Sequence, residues 1–372
     1  MALTVRGCAR GFMYGSVRPG ALLGAGVGFA VEGSYLGNMR QIGAYARLTR
    51  MGSERRGCRQ ERSGMAAERE REVSPEAEAR FEKLASQDLT RVAIDTGFLS
   101  GWRASVRDIF DHRHLLGLLT RRELKARYKD SVLGYVWTLV RPLINLLIYY
   151  FAIGKVLGAE RAIPDFAIYV FAGLTAWGLF SQIVAASTGA IVSNSGIVKK
   201  VYLPREIFPL SAAGAAFVDF LSQLAILVCG ALIIRGVPWG SALIYFPISL
   251  AVVVVWAVAF GLFLSAANVY LRDVQYLVEV ILLIGFWLTP SVYSFAMIAG
   301  AAPSWMINLY LLNPTSVAVM GFQHSFWAAG QDALLPSHLL TRLGIFLIIG
   351  LVLLWLAQRY FARMQRNFAQ EL

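Results

Sequence analysis

Six apolar stretches constrain this chain more than anything else in it, at approximately 132–156, 166–190, 207–234, 242–268, 275–296 and 339–358. Each supplies the ~20 residues that a helix needs to cross a ~30 Å hydrocarbon core. A backbone in lipid must satisfy its own amides and carbonyls, and no stretch alternates apolar with polar residues as a barrel strand does. The expected fold is therefore all-α and integral to a membrane, with a six-span transmembrane domain over 132–372. Only 16% of the residues are charged, against about a quarter in soluble domains, so water is the wrong solvent for most of the chain.

The net charge of +12 raises the question of nucleic acid, but that function needs a basic stripe on a folded soluble domain. Here the cations lie between the apolar runs. One side carries Lys199, Lys200 and Arg205, then Arg272, then Arg359, Arg363 and Arg366; the other has Arg161 and Arg235, with Lys155 and Arg342 at span edges. By the positive-inside rule both termini of this multi-pass protein are expected to be cytoplasmic. Tyr149, Tyr150, Trp177 and Trp287 sit where interface aromatics are expected. Cys8, Cys58 and Cys229 form neither a disulfide framework nor a zinc spacing.

Residues 1–64 are rich in Arg and Gly with no helical or strand period, and cannot bury enough surface to offset chain entropy. They are expected to be a disordered tail or an over-extended start, with Met65 as the true beginning. Residues 65–110 read as a cytoplasmic segment, acidic-basic and helix-prone. Next comes DHRHLLGLLTRRELKARYKD, in which Leu115, Leu119 and Ala126 fall on one side of a helix while Arg121, Lys125 and Lys129 recur every fourth residue beside them. That pattern predicts an amphipathic interfacial helix over 111–131, its apolar side at the headgroup boundary. The connection 297–338 holds no Lys or Arg and yet is apolar. It reads as two short helices, 304–312 and 315–328, split at Asn313-Pro314 because the residue before a proline leaves the helical region. Packed against other helices, they can re-enter the outer leaflet without orphaned amides.

Motifs for catalysis are missing. The Gly154-Lys155 pair has no glycine at phosphate-loop spacing and is followed by Val156. His112, His114, His324 and His338 make no zinc motif, so no metal site is expected. No Asp-x-Asp pair exists to hold a cation for a sugar nucleotide, which weighs against an integral-membrane glycosyltransferase. An ion-coupled secondary transporter usually shows internal repeats and networks of ionisable residues in its spans, and neither is clear here.

Two basic stretches carry the positive signal. In LTRRELKARYKDSVLGYVWTLVRPLINLLIYYFAIGKVLG, 119–158, the basic helix passes through Leu133-Gly134 straight into the first span. In NSGIVKKVYLPREIFPLS, 194–211, a proline-bounded basic segment with a Lys-Lys-x-x-x-Pro-Arg-Glu pattern joins spans two and three. With Asn313-Pro314, these resemble the permease subunits of ATP-binding-cassette polysaccharide exporters, the family that moves O-antigen, teichoic acid and other cell-wall glycans. The resemblance covers about 110–372.

That resemblance implies six spans, a gate helix before the first, and re-entrant outer helices between spans five and six. It also implies a homodimer bearing two separate ATPase subunits that hold the ATP and Mg, with no cofactor in this chain and no enzyme activity of its own. The substrate is a polyprenyl-pyrophosphate-linked glycan, moved among membrane lipids. Ser193, Asn194, Ile197, Lys199, Lys200, Val201, Tyr202, Leu203, Arg205 and Glu206 match the family's coupling helix. In it Lys199, Lys200, Arg205 and Glu206 offer charges to a docking rim, and Val201, Tyr202 and Leu203 an apolar anchor. Arg141, inside span one, either snorkels or joins Arg121, Arg122, Lys125, Arg127 and Tyr128 on the gate helix as a pyrophosphate contact, since guanidinium forks match phosphate oxygens. Tyr149, Tyr150, Phe151, Phe171, Trp177, Phe180 and Tyr293 are candidate stacking surfaces for sugar, and Asp219 and Glu279 are expected to pair with each other or face the dimer interior. An exporter of the same architecture that moves a drug or lipid is the nearest rival.

Overall fold

The computed structural model describes residues 100–372 apart from 128–130, 132, 201, 202, 235, 239 and 332. The readings of 1–64 and of 65–99, and the candidate residues Tyr128, Val201 and Tyr202, lie outside that range. Every regular element among the described residues is helical.

Two helices precede the first span: α1, Ser100–Asp111, and α2, Arg113–Arg127. The sequence foretold one helix over 111–131; the chain instead turns at His112, whose ring nitrogen meets the Asp108 carbonyl at 2.8 Å. Span one begins with a tight turn at Gly134–Val136, where Gly134 takes a φ of 48°. It continues as α3, Trp137–Tyr149, and ends in a π-helical stretch, Tyr150–Val156. There α4 comes so close that a side-chain carbon at Gly154 would lie 2.8 Å from the Phe166 ring. Then follow α4, Phe166–Ser193; the short α5, Ser195–Val198; α6, Ile207–Ile234; and α7, Tyr245–Tyr270. After them come α8, Val274–Trp287; α9, Phe295–Ala301; α10, Ser304–Tyr310; α11, Pro314–Phe326; α12, Leu339–Met364; and α13, Phe368–Glu371.

Among the described residues, five helical stretches are long and apolar enough to cross a membrane: Gly134–Val156, Phe166–Ser193, Ile207–Ile234, Ser241–Tyr270 and Leu339–Asn367. The expected fifth span, 275–296, is realised in part. Helix α8 has 14 residues, roughly 21 Å at ~1.5 Å per residue, and stops short of a ~30 Å core. The chain turns at Thr289-Pro290 because a proline offers no amide to continue the ladder.

Helix α4 is the centre of the bundle, packed on α6, α7 and α11, while α12 packs on α7. It is apolar over most of its circumference because it is buried there: Val170, Ala172, Leu179, Ile183 and Ile191 are each at most 1% exposed. Lipid gives apolar helices no hydrophobic reason to meet, so close approach of small residues does the work. At Gly173 a side-chain carbon would stand 2.8 Å from the Ser291 backbone. Helix α11 starts where the sequence placed a break: the Asn313 side chain accepts from the Thr315 amide at 3.1 Å, and Pro314 occupies the first turn. A second apolar cluster, including Leu119, Val198, Ile207, Phe361 and Phe368, joins α2, α5, the start of α6 and the end of α12.

Candidate functional site

A cavity of about 1100 Å³ opens between α3, α4, α6 and α8. Its α3 wall is one face of the helix, with Trp137, Arg141, Asn145 and Tyr149 spaced by one helical turn each and Thr138 and Pro142 beside them. Phe171, Trp177, Ser181 and Gln182 face it from α4, Asp219 and Gln223 from α6, and Glu279 and Phe286 from α8. The lining divides by chemistry. Arg127, Arg141, Asp219 and Glu279 carry charge, Asn145, Gln182 and Gln223 present amides, and Tyr149, Phe171, Trp177 and Phe286 present rings. Tyr149 and Trp177 stand 5.7 and 6.3 Å from Phe286, ring centre to ring centre. Gly285 makes room for Trp177: a carbon there would lie 2.7 Å from its ring.

The candidate cations divide. Helix α2 lies on α6 with Leu119 buried and Thr120 against Gly214, whose missing side chain lets the helices touch. Arg121 and Lys125 are exposed on its free side and do not line the cavity, and neither does Arg122. Ala126, expected on the apolar side, is exposed. Arg127 ends the helix at the cavity and donates to Asp219 at 2.6 Å. Asp219 takes Arg127 as a partner, and it and Glu279 line the same cavity. Arg141 is exposed to it, its guanidinium 5.9 Å from the centre of the Trp137 ring.

The aromatic candidates divide as well. Tyr149, Phe171 and Trp177 line the cavity. Tyr150 donates to Glu160 at 3.3 Å beside Lys155, Phe151 is exposed, Phe180 is buried on Trp177 and Phe260, and Tyr293 donates to the Trp287 carbonyl. None of these four touches the cavity.

The 193–206 segment is gripped at both ends. Asn194, 8% exposed, donates to the Ala190 carbonyl at 2.8 Å and accepts a short bond from Arg122 of α2. Ser193, Lys199 and Lys200 are exposed, Ile197 and Leu203 half-buried. Arg205 donates to the Gln365 carbonyl and lies 5.8 Å over the Phe368 ring. Glu206, expected at an exposed rim, is 3% exposed and turned inward. It accepts from Gln358 of α12 at 3.0 Å and from Ser105 of α1 at 3.5 Å. Burial pushes its carboxyl up to about 7, against the Gln358 bond and the nearby Arg359 charge, which pull it down.

The basic pre-span helix, the short segment after α4 and the flanking spans coincide with a family signature: residues 114–327 match the ABC-2 type transporter family. The chain belongs to that family. It is a membrane transport subunit. This ABC-2 chain is 30% identical over 272 residues to an O-antigen export system permease protein RfbA of Myxococcus xanthus, covering 72% of the present chain and 98% of the relative. An RfbA of Klebsiella pneumoniae is 27% identical over 256 residues, covering 69% and 94%. A polysialic acid transport protein KpsM of Escherichia coli is 36% identical over a shorter 78 residues, covering 20% and 30%. The ABC-2 match takes in α2 and every wall of the cavity, and it ends before α12, which supplies Gln358 to Glu206.

Proposed function

We infer that this ABC-2 chain is the membrane-spanning permease subunit of an ATP-binding-cassette exporter of polysaccharide. Relatives covered over nearly their whole length carry the names of O-antigen export permeases. The observation that carries the reading is the cavity, with arginines and amides beside a cluster of rings. Sugars offer apolar ring faces and hydroxyls, which is the chemistry that aromatic platforms and amide side chains recognise.

The finer reading has a homodimer in the bacterial cytoplasmic membrane, both termini inside. In each copy α8 and the turn at Pro290 complete a sixth crossing, and α10 and α11 re-enter from the outer side. Two separate ATPase subunits hold ATP and Mg and dock on the exposed face of 193–203, where Lys199 and Lys200 stand. The substrate is a glycan on polyprenyl pyrophosphate. Arg141 and Arg127 receive the phosphates, with α2 as the gate, and the glycan threads along Tyr149, Phe171, Trp177 and Phe286.

Reconstitution in liposomes of this chain with its ATPase tests the reading. Lipid-linked glycan should stimulate hydrolysis and appear on the far side of the bilayer only when both subunits and ATP are present. Hydrolysis of nucleotide by the purified chain alone, or formation of a glycosidic bond by it, would overturn the proposal.

A further inference from the structure

We propose that Glu206 is a positioning residue that ties the 194–206 segment to the last span, so that a displacement of the segment moves α12 and α1 together with α2. The inference rests on the reading of that segment as the ATPase contact.

The segment has a polar attachment at each end, and between them Val198 is buried in the cluster that includes Leu119 and Phe361. At its start, Asn194 is held by Arg122 of α2. At its end, Glu206 is held by Gln358 of α12 and Ser105 of α1, and the neighbouring Arg205 sits on the Gln365 carbonyl and the Phe368 ring beyond α12. Between them, Gly196, Lys199 and Lys200 are exposed. A load on the exposed middle is therefore divided between the helix that borders the cavity and the helix at the far side of α7.

Relative strength decides that these ends act as anchors. A hydrogen bond kept out of water outlasts an exposed ion pair, which solvent and salt screen. The Glu206 bond to Gln358 lies out of water, so contacts made by the exposed Lys199 and Lys200 give way before it does. A carboxyl in that place is not what stability alone selects, since an apolar side chain of similar volume avoids the desolvation. What the carboxyl supplies is direction: one oxygen receives donors from two different helices.

Three variants of the full complex in liposomes test the role: Glu206→Ala, Gln358→Ala, and the exchange Glu206→Gln with Gln358→Glu. Co-purification of the ATPase, its hydrolysis rate and glycan exported per ATP are measured separately. Loss of this buried hydrogen bond should reduce glycan exported per ATP about tenfold in each alanine variant, with the ATPase still bound and still hydrolysing. The exchange, which rebuilds the bond with its partners reversed, should restore most of the export. Unchanged export per ATP in Glu206→Ala overturns the proposal and leaves the docking reading standing. Loss of ATPase binding in that variant also overturns it, because Glu206 would then serve the interface itself. Failure of a cysteine placed at Lys199 to cross-link to the ATPase in the wild-type background sinks the docking reading and this inference with it.

Discussion

Arg127 Nη1 stands 2.6 Å from Asp219 Oδ2, joining the last residue of the pre-span helix to a carboxylate about 18 Å along α6 at ~1.5 Å per residue. The Asp219 side chain is 5% exposed and that of Arg127 32%. A carboxylate so far inside a span is costly without partners, and Arg127 is one that holds it there. Moving α2 off the cavity edge takes that arginine away from a buried charge.

Replacing Arg127 with Ala should lower stability by about 1–2 kcal/mol, less than the ~3–5 of a fully buried pair because Arg127 is a third exposed to the cavity. Thermal unfolding in detergent of Arg127→Ala, Asp219→Asn and the double variant gives the coupling, expected above about 0.5 kcal/mol. Strict additivity of the two single effects would mean that the pair does not hold α2.

Glu206 sets a pH dependence whose sign is fixed. Its carboxyl is raised from 4.5 to about 7 by burial, so the folded chain keeps a proton there that the unfolded chain has lost. The proton-linked stability is fully present below pH 4.5 and declines as pH rises through 7. From α12, Gln358 and Arg359 face the carboxyl; from α1, Ser105 and Asp108, the latter opposing ionisation. Against Glu206→Gln, the wild type should lose on the order of 3 kcal/mol across that window. Parallel melting curves for the two proteins from pH 4.5 to 8 would contradict it.

Much of the bundle could be read from hydropathy alone, because an apolar run of span length has few alternatives in lipid. Helix α8 escaped that reading: hydropathy does not register the turn at Pro290, and 275–296 looks continuous until the proline is given weight. The cavity was half legible. Arg141 and Tyr149 were recognised one by one, but their four-residue spacing with Trp137 and Asn145 marks one face of α3 and brings Asn145 in with them. Phe180 is buried and off the cavity; residue type says nothing about which way α4 faces. Glu206 was misplaced for a different reason. Its partners Ser105 and Gln358 are 101 and 152 residues away, and no local pattern announces a contact at that separation.

Arg141 separates transport from stability. It is exposed to the cavity and its contact is the face of Trp137, so Arg141→Gln should change stability by no more than about 0.5 kcal/mol. If phosphate binds there, glycan-stimulated hydrolysis should fall about tenfold at limiting substrate, from loss of a hydrogen bond to a charged group. Arg141→Lys should fall between, because an ammonium keeps the charge and lacks the planar fork. Equal stimulation in all three proteins removes Arg141 from the substrate path.

Two glycines distinguish a rigid contact from a yielding one. A methyl at Gly173 would meet the Ser291 backbone at 2.8 Å, in the central helix, where nothing can rotate aside. A methyl at Gly285 would meet the Trp177 ring at 2.7 Å, and that ring borders a cavity into which it can swing. Gly173→Ala should therefore cost about 3 kcal/mol or more, at or above the upper end of overpacking penalties, and Gly285→Ala about 1 kcal/mol. Their functional order is the reverse once each protein is corrected for the amount folded. A Trp177 ring pushed into the cavity narrows the path, so Gly285→Ala should export glycan more slowly per folded molecule, while folded Gly173→Ala works normally. Detergent melting curves and export rates normalised to folded protein check both orders. A Gly285→Ala protein as unstable as Gly173→Ala would show that the ring is locked by Phe180 and Phe286 and does not move toward the cavity.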